Sequence, residues 1–162
     1  YNAAGKLIQD STYHTPNYGT YTYLTNYTYD GLGRLSSSLD LNDTRDTTNY
    51  TTYQYAANTV EKSIMTIDYA VGFRTYSKIV TDYTTSGKIL SEKGYNTQTG
   101  QLVSQTYYTY DFGDHLLNKR TSSTGNPSTE ERYFNDNESG RPEKVEYYSA
   151  DQLRYTVTYY YE

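Results

Sequence analysis

The sequence predicts an all-β protein in which about 12 strands form an antiparallel up-and-down meander, closed or strongly curled into a barrel-like sheet. Three observations predict this fold. A hairpin-turn motif recurs along the chain, the segments between its copies alternate with a period of two, and tyrosine takes the place of aliphatic residues. The 162 residues have the length of one domain, so we expect a single domain over residues 1–162.

The turn motif is clearest in YDGLGRL at residues 29–35. Tyr29 ends one strand, Asp30 starts the turn by hydrogen-bonding nearby backbone, and Gly33 supplies the positive φ that tight turns need. Arg34 then begins the return strand on the wet face, and Leu35 returns to the packed face. Looser copies are YNAAGKL at 1–7, YTTSGKI at 83–89, YNTQTGQL at 95–102, YDFGDHL at 110–116 with its glycine one place earlier, a segment over 133–141 ending in SGR, and YSADQL at 148–153.

The segments between the turns alternate as strands do. In residues 153–161 the odd positions are Leu, Tyr, Val, Tyr and Tyr, and the even positions begin with Arg154 and Thr156. No window of about 12 residues carries the apolar stripe of a helix. The predicted strands are 6–13, 20–30, 34–41, 49–56, 59–69, 74–83, 88–95, 101–111, 115–121, 130–135, 143–149 and 153–161. The predicted loops are 14–19, 42–49 and 122–129.

Tyrosine is the main apolar residue of the chain. There are 24 tyrosines but only three phenylalanines, one methionine and no tryptophan. A buried tyrosine ring removes about 150–250 Å² of surface from water, and aromatic residues favour strands. We therefore expect a folded β-protein with an amphipathic core, despite a mean hydropathy of −0.93.

The motif resembles the YD repeat, YxYDxxGRL, of Rhs and teneurin-like proteins. The best match is YTYDGLGRL at residues 27–35, and its matching residues are Tyr27, Tyr29, Asp30, Gly33, Arg34 and Leu35. The chain resembles small exported YD-like domains of unknown function from Bacteroidetes more closely than it resembles the giant Rhs shells. The resemblance implies a β-hairpin repeat. It does not imply the hollow shell of the large Rhs proteins, because this chain is far too short to build one.

A sheet of this many strands must deal with its edges. It can close into a barrel, or it can stay open, curl and pair with another chain. We expect the barrel or strongly curled sheet, because many strands carry tyrosine on one face and threonine or serine on the other. A tyrosine-filled interior with paired hydroxyls would result.

Composition excludes several classes of function. The net charge of −5 argues against nucleic acid, whose phosphates need a basic patch. No segment approaches the roughly 20 apolar residues of a spanning helix, and aliphatic residues are too few for the lipid-facing band of a membrane barrel. The absence of cysteine excludes disulfides and thiolate metal sites. High Tyr, Thr, Ser and Asn with few lysines favours an exported protein of the cell envelope or extracellular space.

The candidate catalytic and metal-binding residues all have a simpler interpretation as turn residues. His14 and His115 are the two histidines, and no nucleophile elbow accompanies them. Asp111, Asp114 and His115 could form a metal cluster, but D-G-D sequences are ordinary turn chemistry. GLG at 31–33 lacks the following helix of a phosphate-binding loop.

Three acidic segments offer carboxylates. Asp40, Asn42, Asp43 and Asp46 suggest a calcium loop but lack its glycine and bidentate glutamate, and NDNES at 135–139 is similar. Glu130, Glu131 and Asp136 could in principle supply a glycosidase pair, although nothing selects one. A solvated surface is the expected role of all three segments.

The sequence therefore predicts a non-catalytic exported structural or binding module, with a glycan or a cell-surface protein as its partner. Exposed tyrosine rings suit such partners. We expect no catalytic residue, no metal ligand, no cofactor, no nucleic acid and no membrane-spanning segment. The alternatives are a hollow β-barrel carrier of a small amphipathic ligand and, more weakly, a carboxylate-based hydrolase.

Overall fold

The structure is a computed structural model that describes residues 1–14, 21–68, 71–136 and 139–161. In these residues the secondary structure consists of β-strands and turns, and no helix is long and apolar enough to cross a membrane. The strands are β1 (Gln9–His14), β2 (Tyr21–Tyr29), β3 (Leu35–Leu41), β4 (Thr47–Tyr55), β5 (Thr59–Asp68), β6 (Phe73–Tyr83), β7 (Ile89–Asn96), β8 (Leu102–Tyr110), β9 (Leu116–Ser123), β10 (Asn126–Asn135), β11 (Pro142–Ser149) and β12 (Gln152–Thr158).

The strands are hydrogen-bonded in chain order, from β1 at one end of the sheet to β12 at the other. The pairs with a defined register are antiparallel, as in β2–β3, β8–β9 and β11–β12. The predicted all-β antiparallel meander of 12 strands is therefore confirmed.

The predicted strand ends are mostly correct to within a few residues. The main exception is β10, which begins at Asn126 because a tight turn at Thr124 and Gly125 replaces the predicted loop over 122–129. His14, predicted in a loop, is the last residue of β1. The rest of the predicted loop 14–19, and the ends of the predicted strands 20–30 and 59–69, lie outside the described residues.

The predicted closure or strong curling into a barrel is wrong. The strand order ends at β1 and β12, and the register defined for each pairs it with its chain neighbour, β2 or β11. Burial gives the physical reason, because a barrel interior needs one face of enclosed side chains. Within the described residues only Thr51, Ser91 and Val145 are buried, and all seven residues of β3 are intermediate, whichever face they occupy.

The chain divides into two compact units, Tyr1–Tyr55 with Val60–Lys78, and Ala56–Thr59 with Ile79–Glu162. The first unit contains β1 to β4, β5 from Val60 onward and the beginning of β6. The second contains Thr59, the end of β6 and β7 to β12. The expectation of a single domain over residues 1–162 stays a prediction.

The turn motif folds as the sequence predicts. In the first unit the Asp30 N–H donates to the Arg34 carbonyl at 2.8 Å, and the Gly33 N–H donates to the Asp30 carbonyl at 2.9 Å. The Asp30 carboxylate accepts the backbone N–H groups of Leu32 and Arg34, each at 2.9 Å. Gly33 has φ +75°, the left-handed conformation that glycine adopts freely.

The turn over 111–115 repeats this pattern with one difference. Asp111 accepts the N–H groups of Gly113 and His115, as Asp30 does in its turn. The left-handed residue, however, is Asp114 with φ +63°, in the position that Gly33 occupies in the first copy. The early glycine of YDFGDHL therefore does not replace the missing one, and an aspartate takes the left-handed conformation instead.

Tyrosine hydroxyls, among them those of the motif tyrosines Tyr29 and Tyr110, hydrogen-bond to the backbone at the start of the preceding strand. In the first unit the hydroxyl groups of Tyr29 and Tyr55 donate to the carbonyls of Leu7 and Leu35, at 2.7 and 2.8 Å. Each acceptor directly follows the Gly-basic step of an earlier turn. We call these contacts tyrosine clasps. The second unit has them at Tyr110 to Ile89 and Tyr161 to Pro142, and Asn135 substitutes for tyrosine by donating to Leu116.

Candidate functional site

The candidate site is a row of directly opposed residues across β8 to β12 of the second unit. Tyr108 lies opposite Lys119, Lys119 opposite Glu131, Glu131 opposite Tyr147, and Tyr147 opposite Tyr155. Opposed residues of neighbouring strands point to the same face. These five residues therefore share one face, and we call them the tyrosine row.

An ion pair lies at the middle of the tyrosine row. The Lys119 ammonium is 3.0 Å from Glu131 Oε1, and the Tyr133 hydroxyl donates to Glu131 Oε2 at 2.6 Å. At the β8 end the Tyr108 hydroxyl donates to Glu92 at 2.8 Å. The polar ends of these side chains are thus held by partners on the same face, which fixes their orientation.

Two stacked rings form the β12 end of the row. The Tyr147 and Tyr155 ring centroids are 4.4 Å apart with an interplanar angle of 19°. Val145 lies on the same face, two residues before Tyr147 in β11. It is only 1% exposed and lies opposite both Tyr133 and Val157. Tyr155 itself is 57% exposed. On this face the exposed fraction therefore increases from the buried Val145 in β11 to the open Tyr155 ring in β12.

The surroundings of Tyr108 and Tyr133 favour the protonated phenols, and those of Glu131 favour the charged carboxylate. Burial and the hydrogen bond to Glu92 raise the pKa of Tyr108 to about 12. Burial and the Glu131 carboxylate likewise raise the pKa of Tyr133. Burial acts to raise the pKa of Glu131, but the hydrogen bonds from Tyr133 and Lys119 outweigh it and lower that pKa. At neutral pH the phenols are therefore neutral donors beside a carboxylate anion.

The opposite face of the same strands is covered by cation–π contacts and ion pairs. The Arg132 guanidinium lies 4.2 Å from the centre of the Tyr148 ring and pairs with Glu130 at 2.7 Å. The Lys144 ammonium lies 3.9 Å from the centre of the Phe134 ring. On this face cations cover part of the aromatic surface, whereas the Tyr155 ring of the tyrosine row remains open.

The predicted His115 and Asp111 do meet, but as part of a turn. His115 Nδ1 is 3.0 Å from Asp111 Oδ2, while the backbone N–H of His115 mainly lowers the pKa of Asp111. His115 Nε2 lies so close to Gly140 that a Cβ at this position would overlap the imidazole ring. Over the described ranges no group of three or more His, Cys, Asp or Glu residues could hold a metal ion.

The oxygen atoms of the acidic segment over 40–46 also accept hydrogen bonds from the protein itself. Asp40 accepts the hydroxyl of Thr25 at 2.9 Å, and Asn42 accepts the backbone N–H of Asp46 at 2.8 Å. Arg45 has φ +68°, in the place that glycine takes in the motif. Asp40 therefore links β3 to β2, whereas Asn42, Arg45 and Asp46 close a turn.

The remaining predicted carboxylates are distributed along the second unit. Glu130 and Glu131 are consecutive in β10 and point to opposite faces, so they do not converge. Asp136 accepts the backbone N–H of Ser139 at 2.7 Å. Of the segment 135–139, residues 137 and 138 lie outside the described residues.

Sequence reasoning did not identify the tyrosine row. Tyr108 stands two residues before the clasp residue Tyr110, a spacing that Tyr27 and Tyr53 share in their strands. That spacing indicates a common face. The pairing of Lys119 with Glu131 depends on a register shift between Asn126 and Thr129, which no local pattern shows.

Comparison with known proteins identifies no family. No protein-family profile and no curated protein matches the chain. One similar solved structure is a protein of unknown function from Bacteroides fragilis NCTC 9343, with 11% identity, a TM-score of 0.37 and coverage of 96% of this chain and 94% of that one. Another is a porin-like protein from Bacteroides uniformis ATCC 8492, with 12% identity, a TM-score of 0.33 and coverage of 91% and 92%. Likeness at this level carries no inference about fold or function.

Proposed function

We propose that the protein is a non-catalytic binding module of the YD-repeat type, exported to the cell envelope or beyond, with a glycan or a cell-surface protein as its partner. The observation that carries this proposal is the exposure of aromatic rings on a sheet with little buried surface. The exposed tyrosines of the strands and the segment after β12 include Tyr23, Tyr50, Tyr76, Tyr107, Tyr155, Tyr159, Tyr160 and Tyr161.

Exposed tyrosine rings are suited to binding. A tyrosine offers a large rigid surface with few rotatable bonds and a hydroxyl that donates and accepts hydrogen bonds. Such residues dominate the energetics of many interfaces. Tyr107 and Tyr155, which are 44% and 57% exposed, lie on opposite faces of the second unit. Either face could therefore receive a partner.

The state of the carboxyl groups supports a non-catalytic role. A general acid needs a carboxyl whose pKa is raised toward neutrality. In the part of the chain that the structure describes, the carboxyls with a resolved shift, such as Glu130, Glu131 and Glu146, all have a lowered pKa. Hydrogen-bond donors stabilise their charged forms, which favours structure over acid catalysis.

The alternative of a hollow barrel carrier is not supported, because the sheet does not close into a barrel. The hydrolase alternative is not favoured either, because Glu130 and Glu131 are consecutive in β10, point to opposite faces and form no converging pair.

Chemical modification of the native protein tests the proposal. Treatment with N-acetylimidazole, followed by peptide mass spectrometry, should acetylate Tyr155 and Tyr160 rapidly. The clasp hydroxyls of Tyr29 and Tyr110 should react slowly, because they donate to backbone carbonyls. Protection of all tyrosines in the native protein would overturn the surface-binding proposal. Fractionation of the producing cells tests export, and recovery in the cytosol would contradict it.

A further inference from the structure

The stack of Tyr147 on Tyr155 depends on an irregularity in the sheet. Tyr148 lies opposite Leu153. Regular pairing would then place Arg154 opposite Tyr147, but the register shifts at this point. Arg154 becomes an extra residue of β12, and Tyr155 lies opposite Tyr147 instead. The two rings therefore meet across the strands, with centroids 4.4 Å apart and an interplanar angle of 19°.

The turn that joins β11 to β12 is not built from residues that favour its conformation. Ala150 and Asp151 both have positive φ, +50° and +60°. A residue with a Cβ adopts this left-handed conformation at a steric cost that glycine avoids. β12 is also the last strand of the order, and its defined register pairs it with β11. The side-chain contacts between these two strands therefore carry much of the attachment of β12.

Tyrosine is the residue that can join these strands covalently. The chain has no cysteine, so a disulfide is excluded. A one-electron oxidant converts a tyrosine into a phenoxyl radical, whose unpaired electron is shared with the ring carbons beside the oxygen. Two such radicals couple through these carbons and form dityrosine. Competition from other oxidisable side chains is small, because the chain has no tryptophan and one methionine.

The geometry of the stack suits this coupling. The ring centres of two directly bonded phenols are about as far apart as those of Tyr147 and Tyr155. Rotation about the Cβ–Cγ bond turns a tyrosine ring without moving its centre, and this torsion is soft. The two rings can therefore bring the reacting carbons together while the strands stay paired. Tyr159 and Tyr161, with centroids 6.5 Å apart, would have to move closer before they could bond.

Exposure gives an oxidant access to the pair. Tyr155 is 57% exposed, whereas Tyr147 is half-buried behind it. An oxidised Tyr155 can take an electron from Tyr147 through the ring contact, after which Tyr155 is oxidised a second time. Two radicals held in contact combine far faster than two that must meet by diffusion. Coupling within the pair is therefore favoured over coupling between molecules.

We propose that Tyr147 and Tyr155 are a modification site, at which hydrogen peroxide and a haem peroxidase form a dityrosine cross-link between β11 and β12. Each phenol gives up one electron and one proton, and the two radicals form one carbon–carbon bond. The hydrogen atoms of the bonded carbons then move to the phenolic oxygens, which restores both hydroxyl groups. One peroxide molecule takes up the two electrons and two protons and becomes two water molecules. The cross-link fastens the last strand and does not depend on the proposed partner.

Peptide mapping of the oxidised monomer tests the proposal. Dilute native protein is treated with hydrogen peroxide and a haem peroxidase, and the monomer is isolated and digested with trypsin. Cleavage after Lys144 and Arg154 places Tyr147 and Tyr155 in separate peptides, 145–154 and 155–162. We expect these peptides to stay joined, with the loss of two hydrogen atoms and with dityrosine fluorescence. Fragment ions should place the bond between Tyr147 and Tyr155.

Two variants and a denatured sample separate the pair from the other tyrosines. Tyr155→Phe keeps a stacked ring but removes the phenol, so the joined peptides should disappear while the melting temperature is retained. Tyr148→Phe is the matched control, because Tyr148 belongs to the same peptide as Tyr147 but points to the opposite face, and the yield should not change. In the wild-type protein, urea should lower the yield because the stack is lost. No joined peptides in the native protein, equal losses in the two variants, a bond through the 89% exposed Tyr160 or an equal yield in urea would overturn the proposal.

Discussion

At the scale of single residues, replacing a left-handed glycine in a turn can cost stability in two ways. The new side chain strains the backbone, and it can also collide with a neighbouring residue. Gly33 has φ +75° with room for a Cβ, whose nearest neighbour would be a Lys6 carbon at 3.7 Å. Gly140 has φ +66° but is packed against His115. Glycine is therefore required at position 33 only by the backbone conformation. At position 140 it is also required because His115 leaves no room for a side chain.

Alanine substitution should therefore act unequally at these two glycines. Gly33→Ala should lower the free energy of unfolding by about 1–2 kcal/mol, the cost of a left-handed L-residue. Gly140→Ala should lower it further because His115 must move. Urea denaturation measures both. Adding His115→Ala should recover the excess in Gly140→Ala, and an equal loss in the two single variants would show that the contact with His115 does not matter.

The tyrosine clasp is also a residue-scale interaction. Tyr29→Phe keeps the ring and removes the hydrogen bond to Leu7, which should lower the free energy of unfolding by about 1 kcal/mol. Tyr160→Phe is the control, because Tyr160 is 89% exposed and should change by less than about 0.5 kcal/mol. Urea melts compare the two. Equal effects would mean that the clasp contributes nothing specific.

Among the single-residue features, the hydrogen bonds within the turns could be predicted from the sequence. Asp30, Gly33 and Arg34 act through contacts within five residues, so their roles follow from their order. The left-handed conformations of Arg45 and Asp114 could not be anticipated, because neither residue type prefers them strongly enough to mark the position. The acceptor of the Tyr29 hydroxyl lies 22 residues away, beyond the reach of a local pattern.

At the scale of elements, the contact between β7 and β8 responds to alkaline pH. The pKa of Tyr108 is raised to about 12 by burial and by its hydrogen bond to Glu92. A raised pKa in the folded state means that the contribution to stability is complete below the ordinary value of 10. It is then lost as the pH rises through the folded value.

Tyr108→Phe should remove this dependence. Between pH 10 and about 12 the wild-type protein should lose stability more steeply than the variant, since ionised Tyr108 faces the Glu92 carboxylate. Denaturation midpoints across this range measure the difference, and absorbance of phenolate gives the titration directly. Parallel stability curves for the two proteins would contradict the assigned environment.

Strand existence could be predicted from the period of two, whereas the pairing of particular residues could not. The alternation in 153–161 indicates a strand where β12 (Gln152–Thr158) lies, but residues 159–161 are not part of that strand. The bulge that leaves Arg154 unmatched, and so aligns Tyr155 with Tyr147, depends on contacts between strands. The tyrosine row therefore became visible only with the register.

At the scale of the whole molecule, the sheet encloses few side chains. Among the described residues only Thr51, Ser91 and Val145 are buried, and Val145 is the one hydrophobic residue of the three. The prediction of a barrel failed at this scale because alternation shows which residues share a face. It does not show whether that face is enclosed.

Low burial should appear in the heat capacity of unfolding. An ordinary protein of this length would give about 2.0–2.4 kcal/mol/K, and we expect less than about 1.5 kcal/mol/K here. Differential scanning calorimetry at several pH values measures this quantity. A value in the ordinary range would mean that an apolar face is covered in solution.

The central claim is that the sheet is open, with β1 and β12 as edges. Amide hydrogen exchange of the dilute native protein, read residue by residue by NMR, tests it most directly. An edge strand bonds through alternate backbone groups, so β12 should show slow and rapid exchange in alternation while β9 is slow throughout. If β1 and β12 were protected as completely as β9, the sheet would be closed and the account would be wrong.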